Sequence, residues 1–329
     1  MYADLLRNKI LGQQTVYESL KAAEKETVCY KELKDPEWGK KDANYTNRMR
    51  LSYYLLYESI VDEEVIAYLF KEELKDRETN SFQGIGNTIH ILTYLLRKCS
   101  AGQKYDDLFD RAKNANFDCA CGYDVNFDIS EDIYDNDLMD CIYLCWDLDY
   151  KDVMEQLVDK WKESVEEWND SNRTLLIRFN SFLDRETENE VLYKAIMDSV
   201  ILNGKVFDIV SAYKDLIQYY LRLKKYDIAY IYLNELLETI NYKEIRGIRL
   251  FGDLLEAAFE IICNCPNASK KLWKWAKTEL QHMSNRYGNL YTKGIAAAKA
   301  VNDSYAMRLE KEYSDWCKEV GIDKREKLS

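Results

Sequence analysis

The sequence predicts an all-α fold of stacked antiparallel helical hairpins, an α-solenoid arranged in two helical parts. Three observations carry this. The 329 residues hold only 2 Pro and 12 Gly, about 0.6% and 4% of the chain against usual shares of about 5% and 7%. β-Rich folds need both residues as turn punctuation, so an all-β protein is excluded. Apolar residues recur at spacings of three and four, the period of one helix face. The stretches between periodic runs are short, as connections between antiparallel helices are. Hydrophobic residues make up 47% of the chain and aromatic ones 13%, enough for a continuous core and unlike a disordered composition.

In chain order, the first long run is 47–76, with Leu51, Tyr54, Leu55, Ile60, Val65, Ala67, Leu69 and Phe70 among charges and a break near Val61-Asp62. Residues 86–99 set Ile89, Leu92, Leu95 and Leu96 on one face, and 151–168 do the same with Val153, Leu157, Trp161, Val165 and Trp168. Further helices are expected near 171–184, 188–203, 206–223, 226–240, 244–263, 268–286 and 290–318. Breaks are expected at Asp35-Pro36-Glu37-Trp38-Gly39, at 80–86, at Ser100-Ala101-Gly102 and at Cys265-Pro266-Asn267. The stretch 114–130 lacks clear periodicity. The predicted organisation is an N-terminal helical domain at 1–113, an acidic, aromatic-rich connecting segment at 114–150, and a C-terminal helical-repeat domain at 151–329.

Residues Tyr213, Leu216, Ile217, Tyr220, Tyr226, Ala229, Leu233 and Leu236 follow the spacing of a helix–turn–helix unit around Leu223-Lys224-Lys225. This pattern resembles a tetratricopeptide repeat. It departs from that family at Ile217, Leu236 and Asn241, where Gly, Ala and Pro are usual. Bulk at the first two implies a wider approach of the helices. The match covers about a tenth of the chain. A repeat of this kind needs stacked neighbours to bury its face, which implies an α-solenoid around it.

Most chemistry is poorly served. The chain has two histidines, His90 and His282. Glu279 and His282 form one Glu-x-x-His pair, whereas a di-iron bundle needs two with further inward glutamates. No P-loop, Gly-x-Ser-x-Gly or His-Glu-x-x-His occurs. Cys119, Cys121, Cys141 and Cys145 could enclose a tetrahedral Zn²⁺, but a one-residue gap between the first two is shorter than structural zinc sites use. They read instead as buried, reduced thiols. Asp124-x-Asn126-x-Asp128 resembles the opening of a calcium loop, yet its sixth and twelfth positions are Ile129 and Asp135 instead of Gly and Glu. No cofactor and no enzymatic activity are expected. Nine scattered cysteines make no disulfide framework, and no apolar run reaches the ~18 residues of a membrane span. The start of the chain has no signal-peptide pattern. A cytoplasmic protein without a membrane partner is expected.

Charge gives the sharpest signal. The formal net charge is −12, which disfavours nucleic acid as a partner because phosphates need Lys and Arg. The basic, aromatic stretch 270–277 reads as an amphipathic helix with solvated lysines. Residues 1–113 and 151–329 are each net −1, so −10 lies within 114–150, which has no Lys or Arg. Its acids include Asp118, Asp124, Asp128, Glu131, Asp132, Asp135, Asp137 and Asp140, and Tyr123 and Tyr134 stand among them. One use of such a segment is a solvated face that neutralises neighbouring lysines. The other is a recognition surface in which carboxylates steer a basic protein and aromatic rings anchor it. The second is the leading expectation, with those ten residues as the partner-binding set. In character the chain is similar to the helical immunity proteins of bacterial toxin systems. That similarity implies a protein that occludes the basic surface of a toxin domain. The alternatives are a tetratricopeptide-like scaffold holding a peptide at 205–290, and a cysteine-based metal protein.

Overall fold

A computed structural model of the chain describes residues 2–35, 39–80, 84–100, 102–127, 129 and 137–321. Among these, seventeen α-helices and one two-stranded hairpin form two compact units, 1–166 and 167–329. The all-α architecture is as the periodicity predicts. The division is not. The acidic segment does not connect two domains. Its helices lie inside the first unit, and the boundary falls after 166.

The first unit is built from α1 (Tyr2–Leu11), α2 (Gln14–Lys21), α3 (Tyr45–Tyr57), α4 (Glu63–Thr79), α5 (Asn87–Cys99), α6 (Asp106–Lys113), α7 (Phe117–Gly122), α8 (Leu138–Asp147) and α9 (Lys151–Ser164). Helices α3, α4 and α5 pack on one another, and α8 packs on α9 and α1. That packing is why 138–166 cannot belong to a later domain: Cys141, Ile142 and Cys145 of α8 are buried. Asp62 caps α4, its carboxylate accepting from the Val65 amide at 3.2 Å, and so produces the break expected near 61–62. Two strands, β1 (Glu32–Asp35) and β2 (Gly39–Asp42), pair antiparallel around the expected Pro-Gly break.

A buried ionic network ties this unit together. The side chains of Asp42, Arg48, Glu73 and Asp76 are out of water. Arg48 Nη1 lies 2.6 Å from Asp42 Oδ2, and Nε donates to Glu73 Oε2 at 3.0 Å. Arg77 Nε lies 3.2 Å from Glu73 Oε1, and its Nη2 pairs with Asp76. Arg77 Nη1 donates to the Gly84 and Ile85 carbonyls at 3.0 and 3.3 Å. Burial pushes the Glu73 carboxyl up, against the pull of both guanidiniums. Gly86 enters α5 with φ +73°, where a Cβ would sit 2.6 Å from the Tyr45 hydroxyl. Only glycine meets both conditions without strain.

The second unit runs α10 (Asp170–Phe182), α11 (Glu190–Asn203), α12 (Val206–Arg222), α13 (Tyr226–Thr239), α14 (Arg249–Asn264), α15 (Pro266–His282), α16 (Gly288–Ala300) and α17 (Tyr305–Glu319). Pairs α12–α13, α14–α15 and α16–α17 pack as hairpins, and α14 also packs on α12 and on α16. This is the stacking through which a helical repeat buries a face it cannot bury alone. Tyr213, Leu216, Ile217, Tyr220, Ala229, Leu233 and Leu236 are buried in α12 and α13, and Tyr226 is half-buried. Within α14, Gly252 faces Tyr287, whose hydroxyl would be 2.7 Å from an added Cβ.

One helix expected over 290–318 is two. Asn302 turns the chain with φ +57°, and Asp303 holds the turn. Asp303 accepts from Trp273 Nε1 at 2.8 Å, from Lys277 Nζ at 2.9 Å and from the Tyr305 amide at 2.8 Å. Trp273 foremost, with the Tyr305 amide and Lys277, holds its carboxyl down at about 2. A depressed carboxyl stabilises fully above its unfolded value of 3.8 and ceases to as pH falls through about 2. Urea unfolding of Asp303→Asn should therefore show a deficit at pH 6 that shrinks between pH 4 and pH 2. In the stretch 270–277, Trp273 is buried and Lys277 is spent on Asp303.

Candidate acidic binding face

Helix α6 begins the site. Phe109 and Ala112 turn inward, with Phe109 edge-on to Phe70 at 5.7 Å. Asp106 and Asp110, four residues apart, then share an exposed face. Asn116 caps α7, its Oδ1 accepting from the Cys119 amide at 2.8 Å. Gly122 ends α7 against Ile85, whose Cδ1 would be 2.6 Å from an added Cβ. The chain then runs back past α6. Lys113 Nζ donates to the Tyr123 carbonyl at 2.9 Å, and Arg97 Nη1 to the Val125 carbonyl at 2.9 Å. Between α6 and 121–125 lies an open cleft of about 620 Å³ with Asp106, Asp110, Asp124 and Lys113 on its walls and Phe109 and Val125 among its lining.

Below the cleft is an aromatic stack. His90 of α5 lies 5.7 Å from the Tyr123 ring and 4.8 Å from the Phe127 ring, both stacked. The Tyr123 hydroxyl lies 2.8 Å from Thr93 Oγ1. Burial pushes the Tyr123 hydroxyl up to about 12 and the His90 imidazole down, with Asp124 opposing the latter. This stack anchors Tyr123 and Phe127 to α5.

The expected partner-binding residues divide three ways. Asp124, Asp137 and Asp140 are exposed and Asp118 is half-buried. Asp137 caps α8 through the Asp140 amide at 2.9 Å. Asp128, Glu131, Asp132, Tyr134 and Asp135 lie outside the described residues. Tyr123 is corrected: at 4% exposed it is a core residue, because its hydroxyl finds a buried partner in Thr93. Among the described residues of the segment, Phe117, Phe127 and Trp146 are exposed aromatic rings. Sequence reasoning missed Asp106 and Asp110, which lie outside the counted segment. Their signal was the acidic first turn of α6 with an inward Phe109. Among the described residues, Asp106, Asp110, Asp118, Asp124, Asp137 and Asp140 form no ion pair, whereas Asp149 pairs with Arg50 at 3.4 Å.

Neither a scan against protein-family models nor a search of curated proteins gives a match.

The four cysteines do not converge. No group of three or more His, Cys, Asp or Glu among the described residues is placed to hold a metal ion. Positions 119 and 121 fall on opposite sides of the short α7, one buried and one exposed. Burial pushes the Cys141 thiol up to about 11 and the Cys145 thiol up to about 12, so both are protonated at neutral pH. Iodoacetamide labelling with peptide mass spectrometry should modify Cys121 well before Cys119, Cys141 and Cys145. Glu279 and His282 do not act as a pair: Glu279 is buried against Arg246 at 2.5 Å, and His282 Nδ1 lies 2.7 Å from the Thr278 carbonyl.

Proposed function

We propose that this chain is a non-enzymatic binding protein that neutralises a basic protein partner by covering its cationic surface. The observation that carries the reading is the unspent charge. Ten acids and no Lys or Arg occupy 114–150, and six exposed or half-exposed carboxylates around α6, α7 and α8 pair with no cation among the described residues. Carboxylates that neutralised the protein's own lysines would be paired. A surface mainly of one sign speeds encounter with the opposite sign and fixes orientation, and exposed Phe117, Phe127 and Trp146 of the same segment supply apolar contact. Asp106, Asp110 and Asp124 take the partner's Arg or Lys heads, with the side-chain stems along Phe109 and Val125. The acids then stand where the phosphates of the partner's substrate would bind, which is the logic of an immunity protein against a nuclease-like toxin.

The test is capture from an extract of the cells that make the protein, followed by expression of the captured partner alone and with this chain. The reading expects growth arrest by the partner alone and rescue on co-expression. A partner that is harmless alone contradicts the toxin-neutralising role.

A further inference from the structure

The second unit contains a cavity of opposite character. It measures about 410 Å³ and opens between the loop 246–249, which enters α14, and the loop 282–287, which joins α15 to α16. Arg246, Arg249 and His282 line it together with Ser284 and Asn285, and among the described residues no Asp or Glu does. In a chain of net charge −12, this convergence of nitrogen donors from two loops needs a reason.

Both guanidiniums are fixed from behind. Arg246 Nη2 donates to the buried Glu279 at 2.5 Å. Arg249 Nε donates to Asp253 at 3.0 Å and its Nη2 to Glu256 at 3.4 Å. The Arg249 guanidinium also lies 3.5 Å from the centroid of the Tyr287 ring, and the Tyr287 hydroxyl donates to Glu256 at 2.7 Å. These bonds hold both side chains in place, and Arg246 Nε is buried with no hydrogen-bond partner among the described residues. Pre-ordered guanidinium forks are what bidentate recognition of a tetrahedral oxyanion needs. Arg249 is the first residue of α14, where the helix dipole disfavours a cation. Its pairs with Asp253 and Glu256 offset that cost, and the amide end of the helix adds to the positive potential of the cavity. His282 presents its Nδ1 to the Thr278 carbonyl, which must accept. Nδ1 is thus spent on that carbonyl, and Nε2 is the ring atom that remains for a ligand hydroxyl. Ile248 and Met283 add an apolar wall. The volume is that of a small-molecule site rather than of a lone ion.

We propose that this cavity binds the phosphoryl group of a small molecule, with Arg246 and Arg249 on the phosphoryl oxygens and His282 on a hydroxyl of the attached body. The site is separate from the acidic face and stands or falls without it.

Calorimetric titration of the full chain with inorganic phosphate and, separately, with AMP tests the proposal. Saturable binding of either supports it: a phosphate ester is the ligand if AMP binds tighter, free phosphate if it does not. Arg249→Gln should weaken that binding at least tenfold. Glu256 keeps Lys293 at 3.0 Å and the Tyr287 hydroxyl in that variant, so the fold survives. Asn285→Asp, which puts a carboxylate at the mouth without touching the buried pairs, should weaken it similarly with the thermal midpoint unchanged. No saturable binding of either probe, or binding unaltered in both variants, overturns the proposal.

Discussion

Replacing Arg48 by alanine should lower the unfolding free energy of residues 1–166 by about 3–5 kcal/mol, the usual cost of breaking a buried ion pair from one side. Arg48 neutralises Asp42 and Glu73 at once, and all three side chains are out of water. Its removal leaves Asp42 with no cation and Glu73 with Arg77 alone, both in the interior. The loss also releases β2, because Asp42 Oδ1 accepts from the Lys31 and Asn44 amides at 2.9 and 3.0 Å. Glu73→Gln should cost less, since the amide keeps the shape and one acceptor. Hydrogen exchange in increasing urea, which reads 1–166 apart from 167–329, measures the effect. A change below about 1 kcal/mol would mean the network does not hold the unit.

The second large effect is on binding. Asp110→Lys with Asp124→Lys should weaken the partner complex at least 100-fold at low salt. Close charge pairs in tight complexes are worth about 1.5–7 kcal/mol each, so two reversals amount to about 3 kcal/mol or more, and 1.4 kcal/mol is tenfold. Asp106 is left in place because it stands in the first turn of α6, where a carboxylate stabilises the helix. Both reversed residues are exposed, and such changes shift stability by about 0.5 kcal/mol or less. The wild-type complex should weaken as salt rises, and the double variant should lose most of that dependence. Equal affinity of the two proteins at low salt would remove the electrostatic basis of the reading.

Periodicity made α9 to α15 legible because each buries a face of residues three and four apart, as Val153, Leu157 and Trp161 do in α9. The break between α16 and α17 was missed because Asn302, Asp303 and Ser304 also suit an exposed helix face. Only the Trp273 indole, thirty residues away, shows why Asp303 stops the helix. The ionic network was hidden for a similar reason: Arg48, Glu73 and Asp76 read as surface charges. A faint signal existed, since Glu73 falls in line with Ile66 and Phe70 on the apolar face of α4. The acidic segment was legible because charge is counted along the chain. Its depth was not. Tyr123 meets Thr93, and Asp124 meets Asp106 and Asp110, only through the fold. Helix α8, Leu138–Asp147, was lost within a segment read for its charge alone.

The partner is expected on the acidic face of the first unit. Hydrogen–deuterium exchange of the full chain, free and saturated with its captured partner, tests it most directly. The account predicts new protection at 106–125 and along α8. Protection confined to 205–290 would contradict it and place the partner in the helical repeats instead.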